Sequence, residues 1–269
     1  MKRALPIALL LACAAPASAA ETDWVEVAPE VSLRLVSADV VTPEGTVWMG
    51  LEVDMPATTK TYWRVPGESG LPLTFDTTGS EGIGEIDIAW PYPKRETAGG
   101  YLDHAFYGHV LIPFQVAVEG DAPKFVADVA MGVCSDICVP VSTRFELAPA
   151  LGAPDSTSDL RIRQALANVP LPHDGEGLLG KASFDAQEGA ILVDLEDSRF
   201  DPASMIAEIA GSNLLFGEPE LSPDGASLSF PLLGRFEAED MAGAQARFTF
   251  DTPDGPFEIL RPLTIAGNR

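Results

Sequence analysis

Two cysteines four positions apart restrict the fold of this chain more than any other feature. They are Cys134 and Cys138, in the segment Gly132-Val133-Cys134-Ser135-Asp136-Ile137-Cys138-Val139-Pro140. On one continuous strand they would lie about 13 Å apart, at about 3.3 Å per residue, which is beyond disulfide reach. Their flanks, Lys124 to Met131 and Val139 to Leu147, are both strand-like runs. A hairpin turning at Ser135-Asp136-Ile137 brings the cysteines opposite each other, with Cα atoms about 4.5 to 5.5 Å apart, and that is disulfide distance. Asp136 tolerates the left-handed conformation that a three-residue loop usually needs. Pro140 offers no N–H to a ladder, so its strand is expected at a sheet edge or with that position turned from its partner. A disulfide at the tip of an edge hairpin is within reach of another protein.

The chain opens Met1-Lys2-Arg3, runs apolar from Ala4 to Ala15 and passes Ala17-Ser18-Ala19-Ala20 before its first acid, Glu21. This order predicts a secretory signal peptide over residues 1–20, too short to span a membrane as a helix. Cys13 within it leaves a lipoprotein as the alternative. Export puts Cys134 and Cys138 where disulfides persist. Forty acidic against 17 basic residues give a formal charge of −23, which repels nucleic acid and anionic lipid, so no nucleic-acid partner is expected.

A length of 269 residues suggests two domains of ordinary size. Residues 21–148 read as all-β. Alternating runs at Val31–Val36, Thr46–Val53, Gly84–Trp90 and His109–Val118 are separated by turn signals such as Pro43-Glu44-Gly45 and Glu119-Gly120-Asp121, which predicts an immunoglobulin-like sandwich. Trp48 takes an inward strand position in this reading. Residues 149–158, with Pro149, Gly152 and Pro154, form the expected linker.

The remainder, 159–269, reads as a second, smaller, mainly-β domain with one or two short helices. Ser158 or Asp159 caps one helix running to Asn168. Asp201 caps another, with Pro202 in its first turn and Gly211 at its stop. Strands are expected near Ala182–Phe184, Ala190–Leu195, Asn213–Phe216, Ala226–Leu232 and Ala246–Phe250. A last hairpin at Thr252-Pro253-Asp254-Gly255 closes on Phe257–Ile265; it has the shape of the cysteine hairpin without cysteines. The acids Glu237, Glu239 and Asp240 read as a solvated face. Gly82-Ile83-Gly84 lacks the rest of any phosphate-binding fingerprint.

At Tyr62-Trp63-Arg64-Val65-Pro66-Gly67, Trp90-Pro91, Ile112-Pro113 and the Cys-x3-Cys-x-Pro segment, the chain resembles the N-terminal periplasmic domain of DsbD-type protein-disulfide reductases, in particular the ScsB-like branch linked to copper tolerance. The resemblance covers roughly Trp24 to Leu147. It implies an immunoglobulin-like domain in the periplasm whose redox pair is Cys134 and Cys138. That pair would take electrons from a membrane-embedded thiol reductase and pass them to periplasmic thioredoxin-like proteins, with no cofactor beyond the disulfide itself. It also implies a cap over the pair, which falls on the loop from Lys94 to Phe106 and includes Glu96, Tyr101 and Phe106. By analogy Cys138 is the cysteine attacked first. The three-residue spacing departs from the five-residue spacing of the best-known DsbD domains and agrees with the Scs-like branch.

Three readings of the pair follow. In thiol-disulfide interchange, a thiolate attacks a disulfide sulfur, and the pair needs access more than a strongly lowered pKa. Asp136 and the acidic background disfavour the thiolate, and no cation lies close in sequence, so an ordinary thiol is expected. In a secreted binding module the bond would be an inert staple, but it closes too small a loop to remove much unfolded-state entropy. A copper(I) site would draw on soft ligands, Met131 with Cys134 and Cys138, extended by His104 and His109.

Overall fold

The computed structural model describes residues 21–97, 100–120, 122–152, 156–196, 200–235, 241 and 243–266. The expected leader with Cys13 and the acids Glu237, Glu239 and Asp240 lie outside the described residues.

The first half of the chain carries β1 (Val25–Ala28), β2 (Val31–Val41), β3 (Thr46–Asp54), β4 (Lys60–Gly67), β5 (Thr74–Asp76), β6 (Ile83–Ile88), β7 (Lys94–Glu96), β8 (Asp103–Tyr107), β9 (Val110–Val118), β10 (Phe125–Cys134) and β11 (Cys138–Leu147). They form two sheets, in the orders β1-β2-β3-β9-β6 and β11-β10-β4-β8-β7, with β5 also on β10. The period-two alternation of the sequence supplies the core between them. Val47, Met49, Leu51 and Val53 of β3, with Ile112, Phe114 and Val116 of β9, are buried in one cluster with Trp63, Phe106, Phe125, Val129, Met131 and Phe145 from the other sheet. This is the immunoglobulin-like sandwich the turn spacing predicts.

Trp48 takes the opposite face from the one expected. It packs beneath helix α1 (Ser156–Leu166), beside Ala165 and Leu166, where Ile162 is buried against Val36, Ala38 and Leu111. The helix begins ahead of the predicted cap at Ser158 or Asp159 and covers the outer face of the first sheet. Arg161 fixes it there, donating from Nη1 to Glu52 Oε2 at 3.1 Å. Burial alone would raise the Glu52 pKa, but hydrogen bonds from Arg34 and His109 and the charge of Arg161 hold it below the usual carboxylate value.

The second half carries β12 (Leu171–His173), β13 (Leu179–Asp185), β14 (Ala190–Leu195), β15 (Ile206–Ile209), β16 (Leu215–Phe216), β17 (Glu220–Leu221), β18 (Ser227–Leu233), β19 (Gln245–Thr252) and β20 (Gly255–Ala266). They make one sheet in the order β15-β19-β20-β13-β14-β18-β16, with β12 on β20 and β17 on β18. Phe184, Met205, Phe230, Phe248 and Phe250 are at the centre of its core.

The helix expected from Asp201 to Gly211 does not form. Asp201 does cap, its side chain accepting from the Ala203 N–H at 3.0 Å, but the cap opens only a 3-10 turn over Pro202–Ser204. The chain then becomes β15, paired with β19 from Ile206↔Thr249 to Ile209↔Ala246. The reason is burial on both sides. Ile206 enters the core of the first half while Ala207 and Ile209 enter that of the second. A strand can bury both of its faces, whereas a helix of this length buries one stripe.

Candidate functional site

The long hairpin β10–β11 sets the geometry. Its ladder runs without a shift from Phe125↔Leu147 to Cys134↔Cys138. β11 lies at the edge of its sheet, as Pro140 predicts. Gly132, opposite Pro140, gives its N–H to Leu71 O at 3.2 Å and accepts from Thr61 Oγ1 at 2.9 Å, so both of its backbone groups turn away from β11. The missing proline N–H therefore costs no ladder bond. Cys134 and Cys138 are joined as a disulfide with Cα atoms 4.0 Å apart. The turn closes without a left-handed residue, since the non-glycine residues with positive φ among the described residues are Glu30 and Asp39. The tolerance expected of Asp136 is not called upon.

The two cysteines differ in exposure. Cys134 is 7% exposed, whereas Cys138 belongs to the exposed run Ser135–Pro140, in which Ile137 is 73% exposed at the tip. Core-facing residues of β10 are Phe125, Ala127, Val129, Met131 and Val133. By alternation Gly132 and Cys134 lie on the outer face of the sheet. Met131 is therefore on the opposite face from the cysteines, and the structure does not bring the three soft ligands together.

Tyr62 of β4 lies on the outer face. Its hydroxyl is 3.5 Å from Cys138 Sγ. Two glycines make room for its ring: a Cβ on Gly70 would stand 2.5 Å from Tyr62 Cδ1, and one on Gly132 would stand 3.1 Å from Tyr62 Cε2. Leu71, 46% exposed, covers the other side of Gly132, where a Cβ would come within 2.9 Å of its own Cβ. The sequence marks Tyr62 only as part of a landmark motif. Its place beside the sulfur depends on Gly70 and Gly132, which no local pattern links to it.

Beside Cys134, its β-bridge partner Lys60 holds an ion cluster. Lys60 Nζ donates to Asp103 Oδ2 at 2.8 Å and to Glu96 Oε2 at 2.9 Å, and the Tyr107 hydroxyl also donates to Glu96 Oε2. Burial alone would lower the lysine, but the two carboxylates outweigh it and hold the ammonium above the ordinary lysine range. The hydrogen bonds from Tyr107 and Lys60 hold Glu96 low. Burial and the bond to Glu96 push Tyr107 up to about 12. A cation thus does stand beside the pair, though its charge is already engaged. Sequence could not show it, because its partners come from β7 and β8.

Of the cap residues, Glu96 belongs to this cluster, Tyr101 is 58% exposed near the β7–β8 turn, and Phe106 is 8% exposed within the sandwich core. Most of the segment is a hairpin of the same sheet, paired from Lys94↔Ala105 to Glu96↔Asp103. His104 is buried, its Nδ1 3.0 Å from Val65 O, and His109 pairs with Glu52. Neither histidine joins the cysteines in any contact the structure records.

Residues 32–150 match the family model of the thiol:disulfide interchange protein DsbD, N-terminal. Among solved structures, the N-terminal periplasmic domain of ScsB from Proteus mirabilis is similar with a TM-score of 0.71 and 22% identity, over 92% of this chain and 99% of that one. No curated protein sequence matches the chain. The structural match extends over both halves, so the sheet of the second half is part of the shared fold. With an accessible disulfide at the tip of an edge hairpin inside the matched segment, residues 32–150 are a thiol-disulfide interchange domain of the DsbD N-terminal family.

Proposed function

We propose that this chain is a periplasmic interchange module that relays electrons through Cys134 and Cys138. A membrane-embedded thiol reductase supplies them and periplasmic thioredoxin-like proteins accept them. The observation that carries this reading is the asymmetry of the pair, an exposed Cys138 backed by a buried Cys134.

The chemistry follows from that asymmetry. A donor thiolate attacks Cys138 Sγ, the intramolecular S–S bond breaks, and Cys134 leaves as a thiolate. The donor's second thiolate then attacks the donor sulfur of the mixed disulfide and releases Cys138, so two electrons have entered. Passing them on reverses the order: the Cys138 thiolate attacks the acceptor disulfide, and Cys134 resolves the mixed disulfide by attacking Cys138 Sγ. The Tyr62 hydroxyl can donate to Cys138 whenever it carries negative charge.

Thiol alkylation across a graded glutathione buffer, with and without a thioredoxin-like protein, tests the proposal. A reversible couple well above the roughly −300 mV of structural bonds, exchanging with the protein partner, is expected. A bond that stays oxidised throughout would leave only a staple. Ile137→Ser, which removes the apolar tip without adding charge, should slow exchange with the protein partner about tenfold and leave exchange with glutathione unchanged.

A further inference from the structure

The strand that presents Tyr62 to the disulfide loses its ladder immediately beyond that residue. β4 pairs with β8 at Tyr62↔Ala105 and next at Gly67↔Asp103, so it advances five residues while β8 advances two. The bulge between them, Trp63-Arg64-Val65-Pro66, is held in other ways. Val65 O meets His104, and Arg64 reaches out of the first half altogether. Arg64 Nε donates to both oxygens of Glu208, at 3.0 and 3.1 Å, while its Nη2 donates to Glu258 Oε2 at 2.7 Å and Thr249 Oγ1 at 3.2 Å. Its guanidinium also lies 4.2 Å from the centroid of the Trp63 ring. Among the described residues, the hydrogen-bond partners of its side chain belong to β15, β19 and β20.

β7 repeats the arrangement on the other side of the site. Among the described residues, this three-residue strand pairs with β8 alone. Its Glu96 enters the Lys60 cluster beside Cys134, while the adjacent Arg95 donates from Nη1 to Ala203 O at 2.5 Å and from Nη2 to Met205 O, again in the second half. Each strand thus carries a residue of the redox site and, one or two positions away, an arginine bonded to the second half.

We propose that the second domain is a positioning element of the redox site, with Arg64 and Arg95 as the positioning residues. Arg64 fixes the bulge that aims Tyr62 at Cys138, and Arg95 fixes the edge strand that brings Glu96 to Lys60. A bulge and an edge strand are the parts of a sheet least determined by their own ladders, and an arginine fork bonded to carboxylates or carbonyls fixes direction as well as distance. The role rests on the interchange reading for its purpose, but the geometry it asserts is testable without it.

The test uses the full chain, chemically reduced, and follows iodoacetamide alkylation of Cys138 against pH. In Arg64→Lys, which keeps the charge and loses the fork, the rate at neutral pH should fall about fivefold, as Tyr62 drifts from a sulfur it would otherwise stabilise as thiolate. Tyr62→Phe should give the same loss, and adding Arg64→Lys to it should cause no further fall. Arg95→Gln reports on the second anchor in the same way. Arg161→Gln, an ion-pair variant in α1 on the outer face of the other sheet, controls for lost stability alone. A melting temperature that falls in Arg64→Lys and Arg95→Gln with the alkylation profile unchanged would overturn the proposal. If the profile shifts as expected while the wild-type disulfide refuses exchange with a thioredoxin-like protein, the positioning role stands and the interchange reading fails.

Discussion

The two long terminal hairpins of this protein solve one problem in different ways. β19–β20 pairs from Gln245↔Pro262 to Thr252↔Gly255 and closes on Pro253-Asp254 with local chemistry: Gly255 takes φ 109°, and Thr252 Oγ1 accepts from the Asp254 N–H at 3.1 Å while donating to Gly255 O at 2.7 Å. β10–β11 has a comparable ladder but closes on Ser135-Asp136-Ile137 with no glycine, and a covalent bond stands where the first hairpin has a glycine turn. A hairpin of this length in this protein therefore closes without a staple. The disulfide adds something the ladder does not need, an oxidisable pair at an exposed tip.

The largest effect should come from removing one sulfur. Cys138→Ser abolishes interchange outright, whereas its stability cost is at most about 2 kcal/mol, the loop-entropy value for so short a closed loop. Denaturant unfolding beside a glutathione-exchange assay checks both halves of the statement. A loss of folding in Cys138→Ser would break the comparison and return the bond to a structural role.

Acid should separate the two hairpins next. Burial lowers the His104 pKa to about 4. The unfolded chain takes up that proton near 6.5, so it binds more protons than the folded protein between those values. The stability His104 confers is thus fully present above about 6.5 and is lost as pH falls towards 4, by roughly 3 kcal/mol. His104 lies in the sheet of β10–β11, edge to face with Trp63. Amide exchange at pH 7 and pH 5 should therefore show the cysteine hairpin opening before β19–β20, and His104→Gln should remove the difference.

Much of this contrast is legible in the sequence, because it is local. Period-two alternation finds β2, β3, β9, β10 and β11; Pro140 marks the edge; and the cysteine spacing demands the hairpin. What escapes is what depends on a partner far along the chain. Trp48 alternates with core residues and is hidden instead by α1. Asp201 and Pro202 signal a helix that burial of Ile206 and Ile209 in two different cores overrides. Lys60 meets Glu96 and Asp103 only because β4, β7 and β8 share a sheet.

Packing provides the next test. A Cβ on Gly132 would stand 2.9 Å from Leu71 Cβ and 3.1 Å from the Tyr62 ring, so Gly132→Ala has to displace one of them at a cost of about 2 kcal/mol. Because the Tyr62 hydroxyl reaches Cys138 Sγ, the change should also alter Cys138 alkylation, and thermal unfolding with iodoacetamide kinetics reads the two effects together.

The smallest effect sharpens the comparison from the other hairpin. Nothing lies within 4 Å of a Cβ built on Gly255, so Gly255→Ala meets no clash, and its cost is the left-handed backbone alone, about 1 kcal/mol. That strain is confined to a turn with no part in the redox site. Unfolding should therefore shift slightly while exchange with glutathione and with a protein partner stays at the wild-type rate. An exchange rate that moved with Gly255→Ala would mean that the turn of β19–β20 communicates with the cysteines. The route available to it is the one through Thr249 and Glu258, which lie on these same two strands and hold Arg64.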